Sequence, residues 1–213
     1  MERSAIEGLQ AALFSLAVAI FIDGVLEAAA MARGGVMSLT GRWDLLGAWD
    51  VVKTLLITAA LLVTAKRCRS RVFTVLALLF LIIGIEDQVA LHAPLGHFLA
   101  RVLRIDAWSN LWDVSGSHKI GEFLVLDLFG TLAFLLTWTR KRPPLQTLRR
   151  ARGVLTILLV VLFIFAGVVD LINSIYGGPV WEFIEETGER ISLSLSLAYA
   201  VGLVSIKEWW SML

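Results

Sequence analysis

The chain has very few of the residues that most readily build disulfides and soft metal sites. Its 213 residues include one cysteine, Cys68, and three histidines. A single cysteine excludes an intrachain disulfide and any site that needs several thiolates. The HExxH, ExxH and HxxxH patterns are absent as well. Charged residues make up only 17% of the chain, and no basic stretch is interleaved with aromatic residues. We therefore expect no nucleic-acid binding.

Apolar residues, by contrast, make up 58% of the chain, and the mean hydropathy is +0.79. A membrane-spanning helix needs roughly 20 mostly apolar residues. Six segments meet this requirement and occupy most of the sequence. The sequence thus predicts an all-α integral membrane protein, a six-transmembrane-helix bundle forming one polytopic domain over residues 1–213. The predicted spans are 7–31, 44–64, 71–92, 118–139, 154–176 and 180–206.

The basic residues predict how this bundle is oriented. Twelve of the 19 lysines and arginines lie at the ends and connections of one predicted face, and four lie on the other. The positive-inside rule then places both termini in the cytoplasm, in a plasma or bacterial inner membrane. Residues 97–105, between the third and fourth spans, combine apolar side chains with Arg101 and Arg104. This pattern predicts a short helix lying in the membrane interface.

The acidic residues are concentrated on the opposite side. Fifteen of the 18 acidic residues, and all three histidines, fall on the predicted outer side. A charged side chain inside the bilayer costs at least ~2.5–3.5 kcal/mol, so such residues are candidates for function. Helix spacing puts pairs such as Asp23 and Glu27 on one face. The predicted outer-half polar cluster, apart from the metal ligands and catalytic residues assigned below, is Asp23, Glu27, Asp50, Asp127 and Asn173.

Charge balance suggests that this cluster holds metal. Buried carboxylates must be paired, protonated or bound to a cation, and few basic residues lie within the predicted helices. Lys53 lies one turn from Asp50, so a simple ion pair is the competing interpretation there. Carboxylates with one or two imidazoles suit one or two divalent ions of Fe, Mn or Zn. The predicted metal ligands are His92, His118, Glu122, Glu186 and Glu189.

The predicted inner halves of the helices are almost entirely apolar, which argues against a polar route across the membrane. A polar outer pocket above a closed inner half favours a metal-dependent enzyme, a hydrolase or oxidoreductase acting on a lipid or other apolar substrate. Its predicted catalytic residues are Glu86, Asp87, Asp170 and Glu182. A divalent-cation or proton transporter or sensor is the first alternative, and a structural or assembly subunit of a membrane complex is the second. The oligomeric state stays open.

Overall fold

The protein is described by a computed structural model covering residues 2–32, 45–89, 92–104 and 146–206, with helical positions at 120, 121, 124, 125, 128, 131 and 135. Within these ranges the side chains of 2–5, 30–32, 86–89, 92–93, 146–147 and 174–175 are not described. The described residues are almost entirely helical, and no strand occurs among them. The all-α prediction is confirmed for this part of the chain.

Seven α-helices are bounded within the described residues, and we number them in chain order. The first four are α1 (Glu2–Ala32), α2 (Leu45–Arg67), α3 (Arg71–Val89) and α4 (His92–Val102). A continuous rod follows, made of α5 (Gln146–Phe163), a π-helical segment (Ile164–Val169) and α6 (Asp170–Tyr176). The last helix is α7 (Pro179–Ser205).

Three helical stretches are long and apolar enough to cross a membrane: Ile6–Ala29, Leu45–Arg67 and Leu148–Asn173. The apolar part of α3, Arg71–Ile85, is shorter. Helix α7 has 27 residues, or about 40 Å of helix, but its first half is rich in charged residues. The protein is therefore of the membrane class that the sequence predicts. The predicted span 118–139 lies largely outside the described residues.

Helix α7 is the centre of the packing, because it contacts α1, α2 and α5. Where α1 crosses it, a side chain on Gly8 would lie 3.1 Å from the carbonyl oxygen of Gly202. Small residues at such crossings let helix backbones approach closely, which strengthens van der Waals packing in a membrane. Helix α2, which contacts α7, also packs against α3, where Gly84 faces Thr54. The core between these helices is apolar, with Ile57, Leu61, Phe73, Phe80 and Leu155 fully buried.

Two helices differ from their predicted bounds. The helix predicted from 154 begins at Gln146, because Leu148, Ala151 and Leu155 continue one buried face into the basic segment. The short helix predicted over 97–105 begins at His92 and ends at Val102. The chain then turns at Arg104, whose φ of 53° is incompatible with continued right-handed helix.

Candidate functional site

Helices α1, α2 and α7 bring seven polar side chains together in what we call the charged cluster. Helical spacing places each set on one face: two residues on α1, two on α2 and three, at intervals of four, on α7. The members from α1 and α2 lie on the same faces as buried Ala19 and Ile57, so packing of the helices buries them too. The charged cluster consists of Asp23, Glu27, Asp50, Lys53, Glu186, Arg190 and Ser194.

Lys53 occupies the interior of the charged cluster and is fully buried. Its Nζ lies 2.9 Å from Asp23 Oδ1 and 2.7 Å from Asp50 Oδ1. The same ammonium group donates to Ser194 Oγ at 3.4 Å, and Ser194 in turn donates to Asp23 Oδ2 at 2.8 Å. Asp23 therefore accepts a hydrogen bond on each oxygen. The Trp49 ring, 6.0 Å from Nζ, lies beside the ammonium.

Arg190 forms the second cationic centre and is also buried. Its guanidinium pairs closely with Glu186 one turn away on α7, and lies 3.2 Å from Glu27 Oε1 on α1. Its Nε lies 3.7 Å from Asp50 Oδ2 and has no hydrogen-bond partner. Asp50 thus lies between the two cations and contacts both of them. One carboxylate on α2 links the lysine centre to the arginine centre.

The charged cluster contains more carboxylates than cations. Its seven members include four carboxylates, on Asp23, Glu27, Asp50 and Glu186, and two cations, Lys53 and Arg190, so together they carry a charge of −2 when every group is ionised. Desolvating ions is costly, and ion pairs offset that cost only when their geometry is good. An excess of buried negative charge favours the uptake of a compensating cation or proton.

The cluster opens toward one end of the bundle. Side-chain exposure rises from 0% at Lys53 through 13% at Asp23 and 16% at Asp50 to 27% at Glu27 and 36% at Glu186. On each helix we compare the two charged members of the cluster. The more exposed one lies nearer the C-terminus of α1 and nearer the N-terminus of α2 and of α7. These three helix ends are the ones that the sequence predicts on the outer side. Exposure of the charged cluster therefore increases from the buried lysine toward the glutamates at this end.

Below Lys53, described hydroxyl groups bond to backbone carbonyls. Thr58 Oγ1 donates to Thr54 O at 2.8 Å and lies 3.3 Å from Ala77 O on α3, and Ser196 Oγ donates to Ser192 O at 2.7 Å. Thr64 likewise donates to the carbonyl four residues earlier in its own helix. A hydroxyl bonded to its own helix backbone satisfies its hydrogen without help from water or a neighbouring acid. These groups do not extend the charged cluster toward the other end of the bundle.

A second polar contact joins α6 and α7 through a local change in helix type. The π-helical segment places the Phe165 ring directly against Gly188, where no side chain would fit. Such π-segments are short and often lie at functional sites. One turn beyond it, Asn173 Nδ2 donates to Glu185 Oε2 at 3.0 Å. Glu185 is about 100° around the helix from Glu186, so this contact is distinct from the charged cluster.

The structure brings together four residues of the predicted polar site: Asp23, Glu27, Asp50 and Glu186. It places Asp170, Glu182 and Glu189 in partly buried positions on α6 and α7. Predicted residues His118, Glu122 and Asp127 lie outside the described residues, as do the side chains of Glu86, Asp87 and His92. Within the described part of the chain, no group of three or more His, Cys, Asp or Glu residues is arranged to hold a metal ion.

The sequence prediction allowed an ion pair between Lys53 and Asp50, which the structure contains, but it assigned no partner to Arg190 and did not pair Lys53 with Asp23. A signal for α7 was present, because Glu186, Arg190 and Ser194 recur at intervals of four and share one helix face. Comparison of the chain with known protein families, curated proteins and solved structures finds no match. We therefore infer function from the charged cluster itself.

Proposed function

We propose that this chain is an integral membrane protein that binds and releases protons at the charged cluster, and acts as a proton sensor or as the proton-linked part of a transporter. The observation that carries the proposal is the fully buried Lys53 between Asp23 and Asp50, in a cluster whose carboxylates outnumber its cations. Proton uptake reduces this uncompensated charge without requiring any further ligand.

Sensing fits the contacts better than transport does. The charged cluster opens toward Glu27 and Glu186, while the described hydroxyls below Lys53 bond to backbone carbonyls and not to further ionisable groups. Protons therefore exchange with one side of the membrane. A transporter needs polar groups that reach both sides. An intramembrane ionisable group with access to one side responds to the pH of that side.

The topology that we propose gives this side an identity. Six spans with both termini in the cytoplasm, as the basic residues imply, direct the open end of the charged cluster to the outside of the inner membrane. In this arrangement α4 lies in the outer interface, with exposed Leu95, Phe98 and Val102 in contact with lipid and Arg101 near headgroups. The protein then reports the pH outside the cell.

Infrared spectroscopy of the full chain in lipid nanodiscs tests this function. We expect a carboxylic-acid carbonyl band that grows as the pH falls and that is lost or diminished when cluster carboxylates are replaced by amides. Glu182→Gln is a matched control, because Glu182 lies on α7 outside the charged cluster. In oriented proteoliposomes, the band responds to external pH and not to internal pH. A spectrum without any titrating carboxylic-acid band in the wild type refutes the proposal.

The metal-dependent enzyme that the sequence predicts is the second candidate, because the same excess of carboxylates attracts a divalent cation as well as protons. Glu186 and Glu189 are the predicted ligands on α7. Lys53 and Arg190 weaken the charge-balance argument for a bound metal, since they already balance half of the negative charge of the cluster. Elemental analysis of protein purified without chelators distinguishes the two: stoichiometric Fe, Mn or Zn that is lost in Glu186→Ala supports the enzyme.

A further inference from the structure

We infer that Asp50 is the carboxylate of the charged cluster that takes up the proton, while Asp23 keeps its hydrogen bonds from Lys53 and Ser194. This assignment rests on the proposed function and identifies the group that performs it. It follows from how the partners are shared between the two cationic centres.

Asp50 is the carboxylate that can become neutral while each of the two cations still keeps another carboxylate as a partner. When Asp50 is neutral, Lys53 keeps Asp23 at 2.9 Å and Arg190 keeps Glu27 at 3.2 Å. When Asp23 is neutral instead, Lys53 retains only Asp50, which it must share with Arg190. Leaving a buried ion without a partner is strongly unfavourable. Protonation of Asp50 therefore has the lower cost.

Hydrogen bonding separates the two aspartates in the same direction. Both oxygens of Asp23 accept hydrogen bonds, from Lys53 and from Ser194, and such bonds favour the ionised form. Asp50 Oδ1 lies near Lys53 without a well-aligned hydrogen bond. The neighbouring Thr54 hydroxyl donates to the backbone carbonyl of Asp50 and not to its carboxylate. By hydrogen bonding alone, the negative charge on Asp50 is therefore less well stabilised than that on Asp23.

An independent observation is that the buried guanidinium of Arg190 lies close to Asp50 without forming a hydrogen bond to it. Arg190 is only 7% exposed, and its Nε points toward Asp50 Oδ2 from 3.7 Å with no hydrogen-bond partner. A buried donor left unsatisfied costs ~1–3 kcal/mol. A shift of less than 1 Å closes this contact when Asp50 is ionised, and protonation removes the attraction that closes it.

Every element packed around Asp50 enters this balance. Its own helix contributes Lys53; α1 contributes Asp23 and Glu27; and α7 contributes Arg190 and Glu186. The acids of α3, Glu86 and Asp87, have side chains outside the described residues. Protonation of Asp50 breaks the ionic link between α2 and α7 and leaves those between α1 and α2, and between α1 and α7, intact. Proton uptake therefore weakens the attachment of α2 to α7, and this is the structural change that would report the pH.

The test compares the carboxylic-acid band in Asp50→Asn and Asp23→Asn, using full-length protein in nanodiscs. Loss of the titrating band in Asp50→Asn, with its retention in Asp23→Asn, is the expected result. A band that persists in Asp50→Asn and disappears in Asp23→Asn overturns the assignment but leaves proton binding intact. A wild-type protein without the band overturns proton binding itself.

A second variant covers the case in which Asp50→Asn does not fold. Asp50→Glu keeps a carboxyl group at this position but changes its length and surroundings, so the band shifts in frequency or in the pH at which it appears. The reverse change at Glu182, Glu182→Asp, is the control, because Glu182 lies on α7 outside the charged cluster, and it leaves the band where it is in the wild type. An unchanged band in Asp50→Glu overturns the assignment.

Discussion

Replacing Lys53 by methionine keeps much of the apolar stem of the side chain but removes the ammonium group that contacts Asp23 and Asp50. Two carboxylates that were 2.9 and 2.7 Å from the lysine then lose this cation, and Ser194 and Arg190 are their remaining polar neighbours in the charged cluster. Breaking a buried ion pair from one side typically costs ~3–5 kcal/mol, because the remaining charge is uncompensated. Lys53 is fully buried, so solvent provides little relief. We expect Lys53→Met to lower the free energy of unfolding by an amount in this range.

The sign of the pH dependence follows from the charge that is left behind. Lower pH protonates the uncompensated carboxylates, so the stability lost in Lys53→Met shrinks as the pH falls. The double variant Asp23→Asn/Lys53→Met removes one charge of each sign and recovers much of the loss, since replacing both partners of a buried pair is often nearly neutral. Unfolding in mixed detergent micelles, measured for both variants across pH, gives these energies. A loss below ~1 kcal/mol in Lys53→Met, the size of a surface ion pair, refutes our account of the cluster.

Two further predictions concern parts of the bundle outside the charged cluster. Gly188→Ala places a methyl group against the Phe165 ring, and we expect it to destabilise the protein by ~1–3 kcal/mol. Gly153→Ala is the control, because nothing lies within 4 Å of its new methyl group. Equal stabilities of the two variants in thermal unfolding contradict this packing. Burial raises the pKa of the Cys68 thiol above its ordinary value of 9.0, against the opposing effect of Arg67, so maleimide reacts slowly at neutral pH and faster only as the thiolate forms in alkaline solution. The matched control is a Cys68→Ser protein that carries an exposed cysteine in place of Arg69, and equal labelling rates for the two cysteines refute this pKa shift.

The sequence predicts the helical class well because apolar runs of the required length are unambiguous. It is weaker where a helix extends through charged residues. Helix α5 begins well before its predicted start because Leu148 and Ala151 keep the buried face in phase among exposed Arg149 and Arg150. A hydropathy average combines the apolar residues of that face with the basic residues beside them, so it does not reveal that the helix begins earlier.

The candidate site shows a similar division. Carboxylate depth and spacing put Asp23, Glu27, Asp50 and Glu186 at similar levels from helix geometry along single helices, and these four contact Lys53 or Arg190 in the structure. Which cation each one contacts depends on how helices rotate against one another. That rotation is set by packing features such as Gly8 against Gly202, which involve residues far apart in the chain. The sequence prediction therefore found the acids and underestimated the bases.

The charged cluster also has a consequence for the order in which the protein is made. The partners Asp23 and Lys53 are 30 residues apart, whereas Glu27 and Arg190 are separated by 163. At 5–20 residues per second, the ribosome needs ~10–30 s to supply the arginine after the glutamate has emerged. The first two helices can thus enter the membrane with their own lysine as counter-ion, while Glu27 stays near the aqueous end of α1. Arrival of α7 then draws that glutamate into contact with Arg190, so a helix synthesised much later completes a site whose first members were inserted long before.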